Sequence, residues 1–295
     1  MLKQILQGNI EAACRLRDSE GVPQNFTLRE LLQKPQFFDW VDCRVNDKQF
    51  LMFLAGADDA VAMRYFWNGR YEAFTLSLWS SLAESTDGTI LDVGAHTGVY
   101  SLAALAAGAS EVHSFEPHFA NFARMQLNFR GNGFHLNHAH MLAVGGRSEW
   151  STFHLPTALE YLSTGGGLTE RQNARQFPIE VVALDEFLEL TARGRVGVMK
   201  IDVEGLEPEV LRGAADILVQ SKPIIFFECI DAVSGASVRD ILAACGYTFF
   251  IVCDDSAQLQ PIDNIEPEFE DDGTINMSRL NRIAVPDSGG LGFAP

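Results

Sequence analysis

A chain of 295 residues, 47% hydrophobic and 21% charged, has room for one large α/β domain or for such a domain with a short extension. Its formal net charge of −17 works against a general nucleic-acid binder, whose phosphate contacts need clustered Lys and Arg, and against docking on an anionic membrane. Five cysteines (Cys14, Cys43, Cys229, Cys245 and Cys253) contain no Cys-x-x-Cys pair and leave one over, which fits free thiols in a reducing compartment better than a disulfide framework or a cysteine zinc site.

Residues 1–20 carry charges throughout, unlike a signal peptide or an anchor, and no apolar run is long enough to span a bilayer, so the expectation is a soluble cytoplasmic protein. Residues 1–36 read as polar, mostly helical segments with Leu2, Ile5, Leu6, Ile10 and Leu16 spaced for one apolar face. From Phe37 to Leu54 short apolar runs alternate with polar residues, as strands do. Val61 to Tyr71 and Phe74 to Leu82 are aromatic-rich, a lead-in and a helix before the first core strand. Residues 1–75 are therefore expected to form a cap on a main domain of residues 76–295.

From Thr89 onward strand-like and helix-like segments alternate. Strands are predicted at Thr89 to Gly94, Glu111 to Phe115, Leu136 to Val144, Val196 to Val203, Ile224 to Phe227, Tyr247 to Cys253 and Arg282 to Val285. Trp150 to Leu155 with Ile179 to Val182 reads as a hairpin or edge. Helices are predicted after the first two strands, from Leu184 to Leu190, from Val210 to Val219 and from Val238 to Ala244. The alternation implies an α/β fold, a mostly parallel sheet with helices on both faces, in which ligands bind at the carboxyl ends of the strands. Asp254 to Asp272 holds eight carboxylates and no Lys or Arg, and reads as a solvated loop; Gly165-Gly166-Gly167 reads as a flexible loop near the site.

Three motifs carry chemistry. The first is the turn Asp92-x-Gly94-x-His96-x-Gly98, where Gly94 and Gly98 permit a sharp bend and close approach to a ligand. It lacks the Gly-x-Gly-x-x-Gly spacing of a dinucleotide pyrophosphate site, and the Asp92 carboxylate suits a cationic, phosphate-free ligand such as S-adenosylmethionine. The second is Glu116, at the end of the next strand and 22 positions beyond Gly94, where a carboxylate can accept two hydrogen bonds from a ribose diol. The third is Lys200-Ile201-Asp202-Val203-Glu204-Gly205, whose two carboxylates share one face if the strand continues, with Glu228 at the end of the following strand as a third member. Such carboxylates can bind a divalent cation, orient hydroxyls or accept a proton.

Taken in order, Tyr71-Glu72, ILDVGAHTGVYSL, SFEPHFAN, LAVGG, KIDVEGLEPEVLRGA and IIFFECI resemble the FkbM-type methyltransferases, from about residue 70 to the NRIAVP stretch. The resemblance implies a Rossmann-like class I methyltransferase fold, with a seven-stranded sheet whose last strand is antiparallel, and S-adenosylmethionine as cofactor. It implies that Asp92, Gly94 and Gly98 surround the methionine part, that Glu116 holds the ribose, and that Met141, Leu142 and Ala143 pack the adenine edge. Asp202 would sit near the sulfonium and the acceptor, and Glu72 would be a pocket residue. His96 stands where many relatives have Asn.

The reaction so implied is O-methylation of a small-molecule or glycan acceptor by in-line displacement, with Asp202, Glu204 or Glu228 as catalytic carboxylates. His135, His138, His140 and His154 are alternative bases. The competing readings are a nicotinamide-dependent oxidoreductase, disfavoured by the missing glycine pattern, and a cofactor-binding protein without turnover.

Overall fold

The computed structural model describes residues 2–136, 138–156, 162, 166–170, 172–187 and 194–287. Its first part runs α1 (Leu2–Glu20), α2 (Leu28–Leu31), a hairpin of β1 (Phe37–Val45) and β2 (Lys48–Gly56), α3 (Ala60–Asn68) and α4 (Ala73–Ser85). Then follow β3 (Thr89–Val93), α5 (Val99–Ala106), β4 (Val112–Phe115), α6 (Phe119–Gly131), β5 (Ala139–His140), β6 (Ala143–Val144), β7 (Glu149–Pro156) and β8 (Ala174–Val182). The last part comprises β9 (Val196–Ile201), α7 (Glu207–Arg212), α8 (Ala215–Gln220), β10 (Ile224–Glu228), α9 (Ala232–Ala244), β11 (Tyr247–Cys253), β12 (Gln258–Ile262) and β13 (Asn281–Pro286).

The main sheet has the order β12-β11-β13-β10-β9-β3-β4-β5. Strands β5, β4, β3, β9 and β10 are mutually parallel, and β13 runs antiparallel between β10 and β11, as the family resemblance implies. The sheet has eight strands rather than seven because β12 pairs with β11 at the edge. It comes from the acidic stretch expected to be loop: residues 256–262 carry no carboxylate, and Pro261 is tolerated because an edge strand need not donate on its free side. The run expected as one strand at Leu136 to Val144 is split. After β5 the chain leaves the main sheet, and β6 pairs with β8 in a second sheet of order β6-β8-β7, which contains the expected hairpin. Leu184–Glu186 forms one 3-10 turn, and residues 188–190 of the helix expected there lie outside the described residues.

Side-chain alternation decides where the polar residues of the buried strands go. In β3, Ile90 packs into the core under α4, α5 and α6, whereas Leu91 and Val93 pack into the core on the other face, against α7 to α9. Val198 and Phe226 join the first core; Met199, Ile201, Ile225 and Phe227 join the second. By the same alternation Asp92, Lys200 and Glu228 project from the first face, and Asp92 pairs with Lys200 in register. The cap elements share that first core: Leu31, Phe50, Met52 and Met63 belong to one cluster with Tyr100, Leu102 and Phe129. Among the described residues no helix is long and apolar enough to cross a membrane.

Candidate active site

A cavity of about 960 Å³ opens at the carboxyl ends of β3, β4, β9 and β10. Glu72, Asp92, Gly94, His96 and Glu116 line it, and so do Leu142, Ala143, Asp202, Glu204 and Glu228. Gly98 and Met141 are not among the lining residues, Met141 being 47% exposed in the link where the chain leaves the main sheet. The chain turns beyond β9, with Glu204 at φ 58°, so Asp202 and Glu204 reach the cavity from a turn rather than from one strand face.

The glycine turn is built by protein contacts. The Gly94 and Ala95 N–H groups both donate to the Phe115 carbonyl at 2.9 Å, and Asp202 N–H donates to the Val93 carbonyl at 2.9 Å. A Cβ on Gly94, at φ +84°, would lie 1.8 Å from the Asp202 carbonyl oxygen. On Gly98, at φ +92°, it would lie 2.9 Å from Met125 Cγ and 3.0 Å from Phe129 Cε1 on α6. Both glycines are thus required by neighbouring backbone and helix packing, whatever ligand approaches the turn.

Glu116 is 5% exposed and held by main-chain donors: His96 N–H gives 2.8 Å to Oε2, and His118 N–H gives 2.8 Å to Oε1. Burial pushes its pKa up to about 8 against the pull of those bonds. Asp92 accepts from Ser101 N–H at 2.9 Å and from the Ser101 hydroxyl, which commits one oxygen to the first turn of α5. Burial raises its pKa to about 6. The backbone N–H of His96 serves Glu116, while its buried ring Nε2 has no hydrogen-bond partner among the described residues.

Lys200 organises the catalytic end, and the sequence reading gave it no role. Its ammonium is 3.4 Å from Asp202 Oδ2, 3.8 Å from Glu228 Oε1 and 5.1 Å from the Tyr100 ring centre, with the side chain 1% exposed. Burial disfavours the ammonium, but Asp202, Glu228, Glu72 and Asp92 outweigh it and hold its pKa above the usual lysine value. Burial, with Asp202 beside it, raises Glu228 well above the usual carboxylate range. Glu72 is also raised by burial, and it accepts a hydrogen bond from the Tyr100 hydroxyl. The available signal was a lone Lys inside the apolar run Val196 to Ile201, opposite Asp92 in register.

The divalent cation expected at these carboxylates is not supported. Among the described residues the group with convergent metal-ligand atoms is Glu111, His113 and His138, away from the cavity, whereas the ammonium of Lys200 already lies beside Asp202 and Glu228. None of His135, His138, His140 and His154 lines the cavity; the lining histidines are His96 and His118. Phe153, Gly166, Gly167 and Leu168 line it from beside the second sheet, and Gly165 of the expected loop lies outside the described residues. Cap residues, among them Asn25, Arg64 and Tyr71, contribute to its wall.

The Methyltransferase FkbM domain family matches residues 92–249. No curated protein matches the chain. Among solved structures it is similar to methyltransferase FkbM from Methylobacillus flagellatus KT, at 15% identity and TM-score 0.40 over 76% of this chain and 53% of that one. It is similar also to precorrin-6y C5,15-methyltransferase from Geobacter metallireducens GS-15, at 10% identity and TM-score 0.38 over 72% of this chain and 88% of that one. A third is the SAM-dependent methyltransferase from Agrobacterium tumefaciens, at 13% identity and TM-score 0.39 over 83% of this chain and 69% of that one. The chain thus spans about half the length of the Methylobacillus protein. The family match, covering more than half of this sequence and all three motifs, means that the chain belongs to the FkbM methyltransferase family.

Proposed function

We propose that the protein is an S-adenosylmethionine-dependent methyltransferase that methylates a hydroxyl of a sugar, glycan or small natural product. The observation that carries this reading is Glu116, its two oxygens fixed by the His96 and His118 N–H groups at the rim of a cavity rich in carboxylates. The carboxylates Asp92, Glu116, Asp202 and Glu228 along the strand ends suit a cation with a ribose diol and suit a pyrophosphate badly. The buried, unpartnered Nε2 of His96 is a further polar group that a ligand can satisfy.

In this reading Glu116 accepts the ribose hydroxyls, Leu142 and Ala143 pack the adenine, and the carboxylates on the Asp92 side face the methionine cation. Bound there, S-adenosylmethionine supplies an electrophilic methyl carbon open to in-line attack by an acceptor oxygen. Asp202 orients the acceptor hydroxyl, and either Asp202 or Glu228 takes its proton. A carboxylate of ordinary pKa, about 4, is a weak base for an alcohol. The raised Glu228 narrows that gap, and Lys200 keeps the group ionised enough to act.

Calorimetry with S-adenosylmethionine, S-adenosylhomocysteine and NAD is expected to show binding of the first two only. Product detection over sugar and polyketide acceptors then separates turnover from mere binding. Asp202→Asn is expected to bind cofactor within a few-fold of wild type and to lose at least tenfold in turnover. Wild-type turnover in that variant would remove Asp202 from the mechanism.

A further inference from the structure

A second cluster lies at the opposite end of β4 from Glu116. Glu111 directly precedes β4, His113 lies within it, and His138 directly precedes β5, its carbonyl accepting Ser114 N–H at 2.8 Å. One carboxylate oxygen and one nitrogen from each imidazole all lie within 4.8 Å of one another. Glu111 Oε1 and His113 Nε2 are 2.9 Å apart, and the His113 and His138 rings pack at 4.4 Å between centres. His113 is fully buried, while Glu111 and His138 are half-buried, so the group sits at the edge of the sheet with a route to solvent.

We propose that Glu111, His113 and His138 bind a divalent transition-metal ion of the zinc type, in a structural site separate from the cofactor cavity. Two imidazoles and one carboxylate form a donor set that favours zinc and its neighbours over magnesium or calcium. Glu111 Oε1 and His113 Nε2, hydrogen-bonded to each other at 2.9 Å, need to part by only about 0.5 Å to reach the separation of two ligands about 2.1 Å from a tetrahedral zinc ion. The outer shell is also in place. For Nε2 of His113 to face a cation its proton must sit on Nδ1, and His140 Nε2 is there to accept it at 3.0 Å. Phe187 packs edge-on against His113 and His140, at 6.4 and 5.0 Å between ring centres, and covers the cluster on that side.

The ion would fasten β5, an edge strand of two residues, to β4. That strand leads into Leu142 and Ala143 on the cavity wall, so the fastening holds one side of the cavity from a distance.

The test uses the full chain, stripped with a chelator and titrated with Zn²⁺ by calorimetry and with Co²⁺ by visible absorption. One ion per chain is expected, with a rise in Tm when it binds. Glu111→Gln and His138→Ala, both at half-buried positions, are each expected to weaken Zn²⁺ binding at least tenfold and to abolish the Tm rise. Asp202→Asn is expected to leave both unchanged. Absence of stoichiometric binding to the wild-type chain would overturn the proposal. So would wild-type affinity in Glu111→Gln and His138→Ala, or loss of binding in Asp202→Asn, which would place the ion in the cavity instead. Should His138→Ala not fold, Glu111→Gln decides alone.

Discussion

Glu116 carries a pH dependence with a definite sign. Its carboxyl is raised to about 8 in the folded chain by burial, so between the ordinary value of about 4.5 and 8 the folded state holds a proton that the unfolded state has lost. Its contribution to stability is therefore greatest at low pH and declines as pH rises through that window. Ribose hydroxyls donate to the ionised form, so cofactor binding must expel the proton. Affinity for S-adenosylhomocysteine should climb by about tenfold per pH unit below 8 and level off above it. Calorimetry in two buffers of different ionisation enthalpy should detect one proton released near pH 6.5. A flat Kd from pH 6.5 to 9 would contradict the ribose role.

Lys200 makes the complementary prediction. Lys200→Met removes the ammonium beside Asp202 and Glu228 and leaves buried carboxylates without a counter-charge, which should cost about 3 kcal/mol at neutral pH. Without the lysine Glu228 and Glu72 shift further upward, so the loss should shrink near pH 5, where they accept protons. Denaturant unfolding of wild type and variant at pH 5 and pH 8 checks this; equal losses at both would show that the pairing is energetically idle.

At the scale of elements, α4 depends on a residue far along the chain. Its first turn has no side-chain cap of its own, because Glu72 sits there in the left-handed region at φ 37°. Asp254 supplies the cap, accepting from Phe74 N–H at 2.8 Å, Thr75 N–H at 3.0 Å and the Thr75 hydroxyl at 2.7 Å. Asp254→Ala should cost about 1–2 kcal/mol and Asp254→Asn much less, since Asn caps nearly as well. Chemical denaturation separates them, and equal loss in both would assign the effect to charge rather than capping. What could be read beforehand follows the same division between local and tertiary causes. The strands β3, β9 and β13 are buried on both faces and show it as mainly apolar runs, interrupted by Asp92, Lys200 and Arg282, and Glu116 announces itself by its distance from the turn. The acidic stretch hid a cap and an edge strand, because what Asp254 does is set by a helix about 180 residues away. For the same reason the packing demand on Gly98, where a Cβ would meet Met125 and Phe129, is not legible in the sequence.

Over the whole molecule, the question is how firmly residues 1–75, expected from the sequence to cap the main domain rather than to stand as an independent unit, belong to it. The hairpin strand β2 docks its open edge on α6 through side chains. Asn132 accepts from Leu51 N–H at 2.7 Å and donates to the Leu51 carbonyl at 2.8 Å, and Asn128 accepts from Phe53 N–H at 2.8 Å. Arg124 donates to the Phe53 carbonyl at 2.8 Å and pairs with Asp58 at 2.6 Å. Beneath these bonds Phe50, Met52 and Leu54 are buried to 1% exposure or less in the core that also holds Leu102 and Phe129. Removing residues 1–75 would strip the apolar cover from α5 and α6 and leave the buried side chain of Asn128 without its strand partner. Each large side chain so exposed forfeits about 1.5–3 kcal/mol, against a total stability of about 5–15 kcal/mol for a domain. A chain of residues 76–295 should therefore fail to unfold cooperatively and should expose apolar surface to a hydrophobic dye, whereas the same two pieces co-expressed should reassemble. A cooperative transition with near-wild-type Tm in the shortened chain would instead make the first 75 residues a dispensable attachment.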